Sequence, residues 1–255
     1  MRIRVAIAQI AMHWTTRENV DSMRNAITVA KHRGADICAF SELSVTGFHR
    51  QIAREALPEV VGPAILELRA HCAELSIGAS IGTPTFTEGG KRFISQLLVD
   101  QNGQVSASVS KRGLTAPEAT FFERGMSRPV GKIQGLRCSA VICREVEDFD
   151  LVADELPMGT VDLIFVPGAL RQDPEKPKTE PPEYVRNIQR IAEATGAYVV
   201  QTNWPNALNR PEESIDGGES TVASPDGRIL LRLPKQASGV GIFSLGDTSF
   251  SWHAQ

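Results

Sequence analysis

No stretch of the 255-residue sequence approaches the ~18 consecutive apolar residues that a bilayer-spanning helix needs. An excess of charge is missing as well. A net charge of −3 gives no reason to expect nucleic acid or an anionic membrane as a partner. Cysteine is scarce and unpaired in pattern: Cys38, Cys72, Cys138 and Cys143 form no CxxC pair, and no Cys/His cluster has zinc spacing. A zinc site is therefore not expected, and free thiols point to a cytoplasmic protein. The five histidines, His13, His32, His49, His71 and His253, are scattered, and nothing sets one beside a cysteine as a papain-like Cys–His pair requires. Internal repeats and low-complexity tracts are absent. The first ten residues alternate like a strand and lack the apolar stretch and small-residue cleavage site of a signal peptide.

What is present is an ordinary globular composition, 42% hydrophobic and 22% charged, enough for a sizeable core. One domain over residues 1–255 is expected. Val5 to Ile10 has the pattern of a strand. Thr15 and Glu18 form a capping box ahead of Val20, Met23, Ile27 and Ala30 at helical spacing, and Gly34 closes that helix. Ala35 to Phe40 is apolar enough for a strand buried on both faces. A second helix is expected after Gly62-Pro63, and a strand over Ile77 to Gly82. The Asn102-Gly103 turn predicts a hairpin of Phe93–Asp100 with Gln104–Ser110. Further strands are expected at Leu136–Cys143, Val161–Val166, Ala197–Thr202, Ser220–Ala223, Arg228–Leu233 and Gly239–Leu245. Helices are expected at Asp148–Leu156 and Pro182–Thr195. This alternation, with hairpins between and after two βαβ-rich halves, predicts an α/β layered fold. The Pro-rich charged stretch from Arg171 to Pro182 is expected to be a surface loop, placed to act as a lid.

Three residues of different chemistry each end a strand-like run: Glu42, Lys111 and Cys143. Strand ends can converge at one rim of a sheet, and a base, a cation and a nucleophile together make a covalent hydrolase. A free thiol has a pKa of ~8.5 and needs a base or a cation nearby to react at neutral pH. Glu42 can take the thiol proton, give it to a departing amine and then activate water. Lys111 can stabilise the tetrahedral oxyanion, with the backbone N–H of Arg144 as second donor. The other cysteines, flanked by apolar residues, are expected to be buried hydrophobes.

Those residues carry a resemblance. The chain resembles the nitrilase superfamily of carbon–nitrogen hydrolases over nearly its whole length. Val5-Ala6-Ile7-Ala8-Gln9 is similar to the family's first strand, and Phe40-Ser41-Glu42-Leu43-Ser44-Val45-Thr46-Gly47-Phe48 to its glutamate motif. Ser110-Lys111-Arg112-Gly113-Leu114 resembles the lysine motif, Glu118-Ala119-Thr120-Phe121-Phe122-Glu123-Arg124-Gly125 the segment after it, and Val141-Ile142-Cys143 the nucleophile strand. Gly218-Glu219-Ser220 and Ser224-Pro225-Asp226-Gly227 match late segments. The resemblance implies a four-layer αββα sandwich of two mixed sheets with helices outside, and assembly as a homodimer or larger homo-oligomer. It implies hydrolysis of a small-molecule amide or N-carbamoyl C–N bond through a thioester on Cys143, without cofactor or metal. It also implies that Glu118 is a second carboxylate of the site, with Glu123 as competitor. Two alternatives stand beside it: a non-catalytic binding protein on the same fold, and an acyltransferase using the same thioester.

The sequence departs from the family after the nucleophile, where Cys143-Arg144-Glu145-Val146-Glu147-Asp148-Phe149-Asp150 replaces an aromatic, an Asp and an Arg, and where Gly113 stands for the usual His after the lysine. Arg144, Glu145, Asn203 and Trp204 are the candidate substrate contacts. An acid at Glu145 or Glu147 facing the pocket would disfavour a substrate carboxylate. The other reading is that these acids cap the following helix and face solvent.

Overall fold

The computed structural model describes residues 2–171 and 181–254. Most of the expected lid, 172–180, lies outside the described residues. Strands β1 (Arg4–Gln9), β2 (Ile37–Ala39), β3 (Gly78–Phe86), β4 (Arg92–Val99) and β5 (Val105–Ser110) come from the first half of the chain. They are interrupted by helices α1 (Thr16–His32), α2 (Ile52–Glu55) and α3 (Pro58–Leu75). The second half supplies β6 (Gly131–Ile133), β7 (Leu136–Ala140), α4 (Phe149–Glu155), β8 (Leu163–Gly168), α5 (Glu183–Thr195) and β9 (Tyr198–Asn203). Strands β10 (Thr221–Ala223), β11 (Ile229–Arg232), β12 (Gly239–Ser244) and β13 (Phe250–Ala254) complete it.

The strands form two sheets, ordered β13-β12-β1-β2-β3-β4-β5 and β11-β10-β9-β8-β7-β6. Each has a parallel trio at its centre, β1-β2-β3 in one and β7-β8-β9 in the other, with antiparallel strands beyond. The period-2 alternation of the sequence decides the layering. In β1, Val5 and Ile7 join Ile37, Ile133, Ala140, Phe165 and Val222 in a core between the two sheets. Ala6 and Ala8 point the other way, against Met23, Ile27, Leu68 and Cys72 of α1 and α3. On the far side, Ile164, Val166 and Val199 pack against Val152 of α4 and Val185, Ile188 and Ile191 of α5. The result is the expected helix–sheet–sheet–helix sandwich of two mixed sheets.

Two expectations need correcting. Helix α3 does not begin after Gly62-Pro63 but at Pro58, with Pro63 inside it. Val61, Ala64, Leu68 and Cys72 form one buried stripe across the proline, and that burial outweighs the single hydrogen bond Pro63 cannot make. The strand expected over Leu136–Cys143 ends at Ala140. Strands β6 and β13 had no expectation: β6 spans three residues, and β13 is an edge strand whose residues are only partly covered, so neither carries a strong alternation. Among the described residues no helix is long and apolar enough to cross a membrane.

Candidate active site

Glu42 lies three residues beyond β2, in a turn stitched to the neighbouring strand. The amide of Val45 and the hydroxyl of Ser44 both donate to the Gly82 carbonyl, and the Gly82 N–H donates back to Ser44 Oγ. A Cβ on Gly82 would fall 2.2 Å from the Ser41 carbonyl oxygen and 2.6 Å from the Leu43 nitrogen, so only glycine lets the two backbones approach this closely. Leu43 takes a left-handed φ of 51°, which turns the chain sharply after Glu42. Lys111 follows β5 directly. Its N–H donates to the Ile94 carbonyl and its own carbonyl accepts from Gly125, so its backbone is held on both sides. Cys143 opens a short 3₁₀ turn after β7 and has φ 55°. A non-glycine residue in that region stores on the order of 1–3 kcal/mol of strain, as residues at functional sites do.

The sandwich brings these loops together, Glu42 and Lys111 from one sheet and Cys143 from the other. Lys111 Nζ is fully buried and donates to Glu42 Oε1 and to Glu118 Oε1, each at 2.7 Å. Glu118, in a 3₁₀ turn over Glu118–Thr120, also accepts the Thr115 N–H on Oε2 at 2.8 Å. The competing Glu123 is exposed. Glu42 Oε2 is buried and has no hydrogen-bond partner. The Cys143 thiol interacts with this carboxylate and opposes the upward push of burial on it. Of the four cysteines only Cys143 keeps partial exposure; Cys38, Cys72 and Cys138 are buried, as expected.

The charges follow from that arrangement. Burial pushes the Glu42 carboxyl above the usual carboxylate range, opposed by the Lys111 ammonium and reinforced by Glu118. Burial alone would pull Lys111 down, but Glu42, Cys143 and Glu118 outweigh it and hold the ammonium above its ordinary value. The Cys143 thiol is pushed up to about 12 by burial and by the Glu42 charge, against the pull of Lys111 and a backbone hydrogen bond from Ala169. Burial and the Glu42 carboxylate both disfavour a thiolate, so Cys143 rests as a neutral thiol.

The structure places the candidate substrate contacts differently. Trp204 does not line an open pocket: it is buried and its Nε1 donates to the Glu42 carbonyl at 3.1 Å, bracing the glutamate turn. Asn203 is also buried, its amide donating to the carbonyls of Leu170 and Gly218. Glu145 neither faces solvent nor offers a free charge to a pocket. Its carboxylate is buried and occupied by Arg128 and three backbone N–H groups, and these, against the opposing effect of burial, hold it below the usual range. The helix-start reading holds in part: Glu147 is exposed and Asp150 lies in the first turn of α4, but Glu145 is buried and the Asp148 side chain makes no cap and instead pairs with Arg144 at 2.9 Å. Arg144 alone of the four stays at a solvent-accessible rim, in an open groove shared with Arg112, Gly113, Arg124, Glu147 and Arg190.

Two arginines escaped the sequence reading. Arg128 is buried beneath the nucleophile turn, though Arg124 to Arg128 looks like ordinary surface charge. Arg171, part of the expected lid, pairs with Glu213 at 2.9 Å, leaves its Nε without a hydrogen-bond partner and lies within electrostatic range of Cys143, so that it would favour a thiolate there.

The carbon-nitrogen hydrolase family profile matches residues 4–248. An amidase from Nesterenkonia sp. superimposes with a TM-score of 0.81 at 25% identity, covering 96% of this chain and 90% of that one. A double mutant of the Nesterenkonia sp. AN1 amidase in complex with acrylamide gives 0.82 at 25% identity, covering 96% and 91%. Among curated proteins, the glutamine-dependent NAD(+) synthetase of Acinetobacter baylyi is 23% identical over 238 residues, 91% of this chain and 42% of that protein. The corresponding synthetase of Rhodobacter capsulatus is 23% identical over 264 residues, 99% and 45% respectively. The chain thus spans less than half the length of these curated relatives.

Proposed function

Because the chain belongs to the carbon–nitrogen hydrolase family, within the nitrilase superfamily, we propose that it hydrolyses a small amide through a thioester on Cys143. The observation that carries this reading is the buried Lys111 ammonium held at 2.7 Å by both Glu42 and Glu118 beside Cys143, a residue with a strained backbone and the partial exposure that the other cysteines lack. As Sγ attacks the carbonyl carbon, Glu42 takes the thiol proton, and its unpartnered Oε2 is the oxygen available for it. Lys111 and the backbone N–H of Arg144 stabilise the oxyanion. Collapse breaks the C–N bond, and Glu42 returns its proton to the departing amine. Glu42 then takes a proton from water as the water attacks the thioester, releasing the acid and the free thiol. Glu118 orients Lys111 throughout.

An amide is favoured over a nitrile, since the similar Nesterenkonia amidase is seen with acrylamide and with butyramide. The glutamine-dependent relatives make glutamine a necessary member of any panel. By the same reading the protein acts as a homodimer or larger homo-oligomer, which light scattering checks. The test of function is ammonia release from acrylamide, butyramide, glutamine and an N-carbamoyl amino acid. At least one should be turned over by the wild type and none by Cys143→Ala. Equal ammonia release by the variant would sink the proposal.

A further inference from the structure

The Glu145 carboxylate has four donors, and three of them belong to the backbone of the two loops that carry the reacting groups. Oε1 accepts from the N–H of Arg112 at 2.5 Å and of Gly113 at 3.0 Å, the two residues directly after Lys111. Oε2 accepts from the N–H of Ile142 at 2.6 Å, directly before Cys143, and from Arg128 Nη1 at 3.0 Å. Arg128 is itself anchored: it donates to the Ala140 carbonyl at the end of β7 and, through Nε, to Glu155 of α4 at 2.9 Å. Glu155 also pairs with the Arg112 side chain. One buried side chain therefore ties the lysine loop of the first sheet to the nucleophile turn of the second.

A carboxylate whose only task was to neutralise Arg128 would need none of the three amides. Backbone N–H groups in loops can instead be satisfied by water, so drawing them onto a buried anion fixes the loops at a set separation. Packing leaves little slack between them. A Cβ on Gly113 would fall 2.7 Å from Asp148 Oδ2 and 3.1 Å from Glu145 Cγ.

We propose that Glu145, held by Arg128, is a positioning residue that sets the separation of the Lys111 ammonium from the Cys143 thiol. It touches neither substrate nor reacting atoms, and the proposal rests on Lys111 and Cys143 having the roles given above. Glu145→Asp keeps a carboxylate opposite Arg128 but is one methylene short of reaching both loops. Glu145→Gln keeps the length and removes the charge. Kinetics on the best amide of the panel, thermal melting, and the rate of Cys143 alkylation by iodoacetamide in the absence of substrate are measured for both. A misplacement of about 1 Å can cost about a hundredfold in rate, so Glu145→Asp should lose kcat on that order with KM nearly unchanged. Its Cys143 should also alkylate more slowly, because base, cation and thiol no longer register.

A folded Glu145→Asp with wild-type kcat, or with a wild-type alkylation rate, would overturn the proposal whatever its melting temperature. So would failure of both variants to fold, which would make Glu145 a determinant of the fold alone. If the wild type turned over no amide of the panel, the assigned function would fail while the alkylation rates still decided the role of Glu145.

Discussion

At the residue scale, the site depends on one cation balancing two buried carboxylates. The sequence allows the expectation that Lys111→Met folds normally and merely loses an oxyanion donor. The structure argues otherwise. Lys111 is fully buried between Glu42 and Glu118, and removing one partner of a buried ion pair costs about 3–5 kcal/mol. Lys111→Met should therefore lose at least ~10²-fold in kcat and also melt at lower temperature. The sign of the pH dependence follows from the direction of the Glu42 shift. Burial already raises Glu42 above its ordinary 4.5, and without Lys111 the main opposing influence is gone. A carboxyl raised in the folded state stabilises most below its unfolded value and loses that contribution as pH rises through the folded value. The melting deficit of Lys111→Met should thus widen between acid and neutral pH in a calorimetric series. A constant deficit would mean that the carboxylates do not take up protons in the lysine's absence.

Residue chemistry was legible where it coincided with a motif. Glu42, Lys111, Cys143 and Glu118 meet where motif spacing implies they should. Glu145, Asn203 and Trp204 were not legible as braces, because a polar side chain at a strand end looks the same in sequence whether it faces a substrate or a neighbouring carbonyl. Arg128 gave no signal at all: its partner Glu145 is 17 residues away and the pairing exists only once β7 and its turn are folded.

At the element scale, a site loop can be fixed by a close backbone approach that a neighbouring strand supplies. β3 supplies it for Glu42 through Gly82. Gly82→Ala would drive a methyl into the Ser41 carbonyl and the Leu43 amide, which are backbone and cannot rotate aside. The expected cost is about 1–3 kcal/mol in urea denaturation, together with a fall in kcat as the Glu42 turn shifts. Unchanged stability would show that the turn has room the distances deny. Most elements were legible because their periodicity was strong: α5 and the β4–β5 hairpin match expectation to within a residue or two. Gly103, at φ 75°, sits in the Asn-Gly turn that predicted that hairpin. The start of α3 was missed because local breaker chemistry at Gly62-Pro63 was overridden by a buried stripe that only tertiary contact reveals.

At the scale of the whole molecule, two sheets packed face to face bring together groups that neither could assemble alone. The first sheet carries Glu42 and Lys111, and the second carries Cys143. Such layering was legible from helix–strand alternation and from the family resemblance; how tightly the two halves are registered was not, since it is set by the inter-sheet core around Ile7, Phe165 and Val222 and by the Glu145 tie. The central claim, that Cys143 is the nucleophile of this composite site, is tested most directly by titrating the protein with limiting iodoacetamide while following both adduct position and ammonia release. One adduct should appear, on Cys143, and activity should fall in proportion to it. Cys143 fully alkylated with activity retained would contradict the claim.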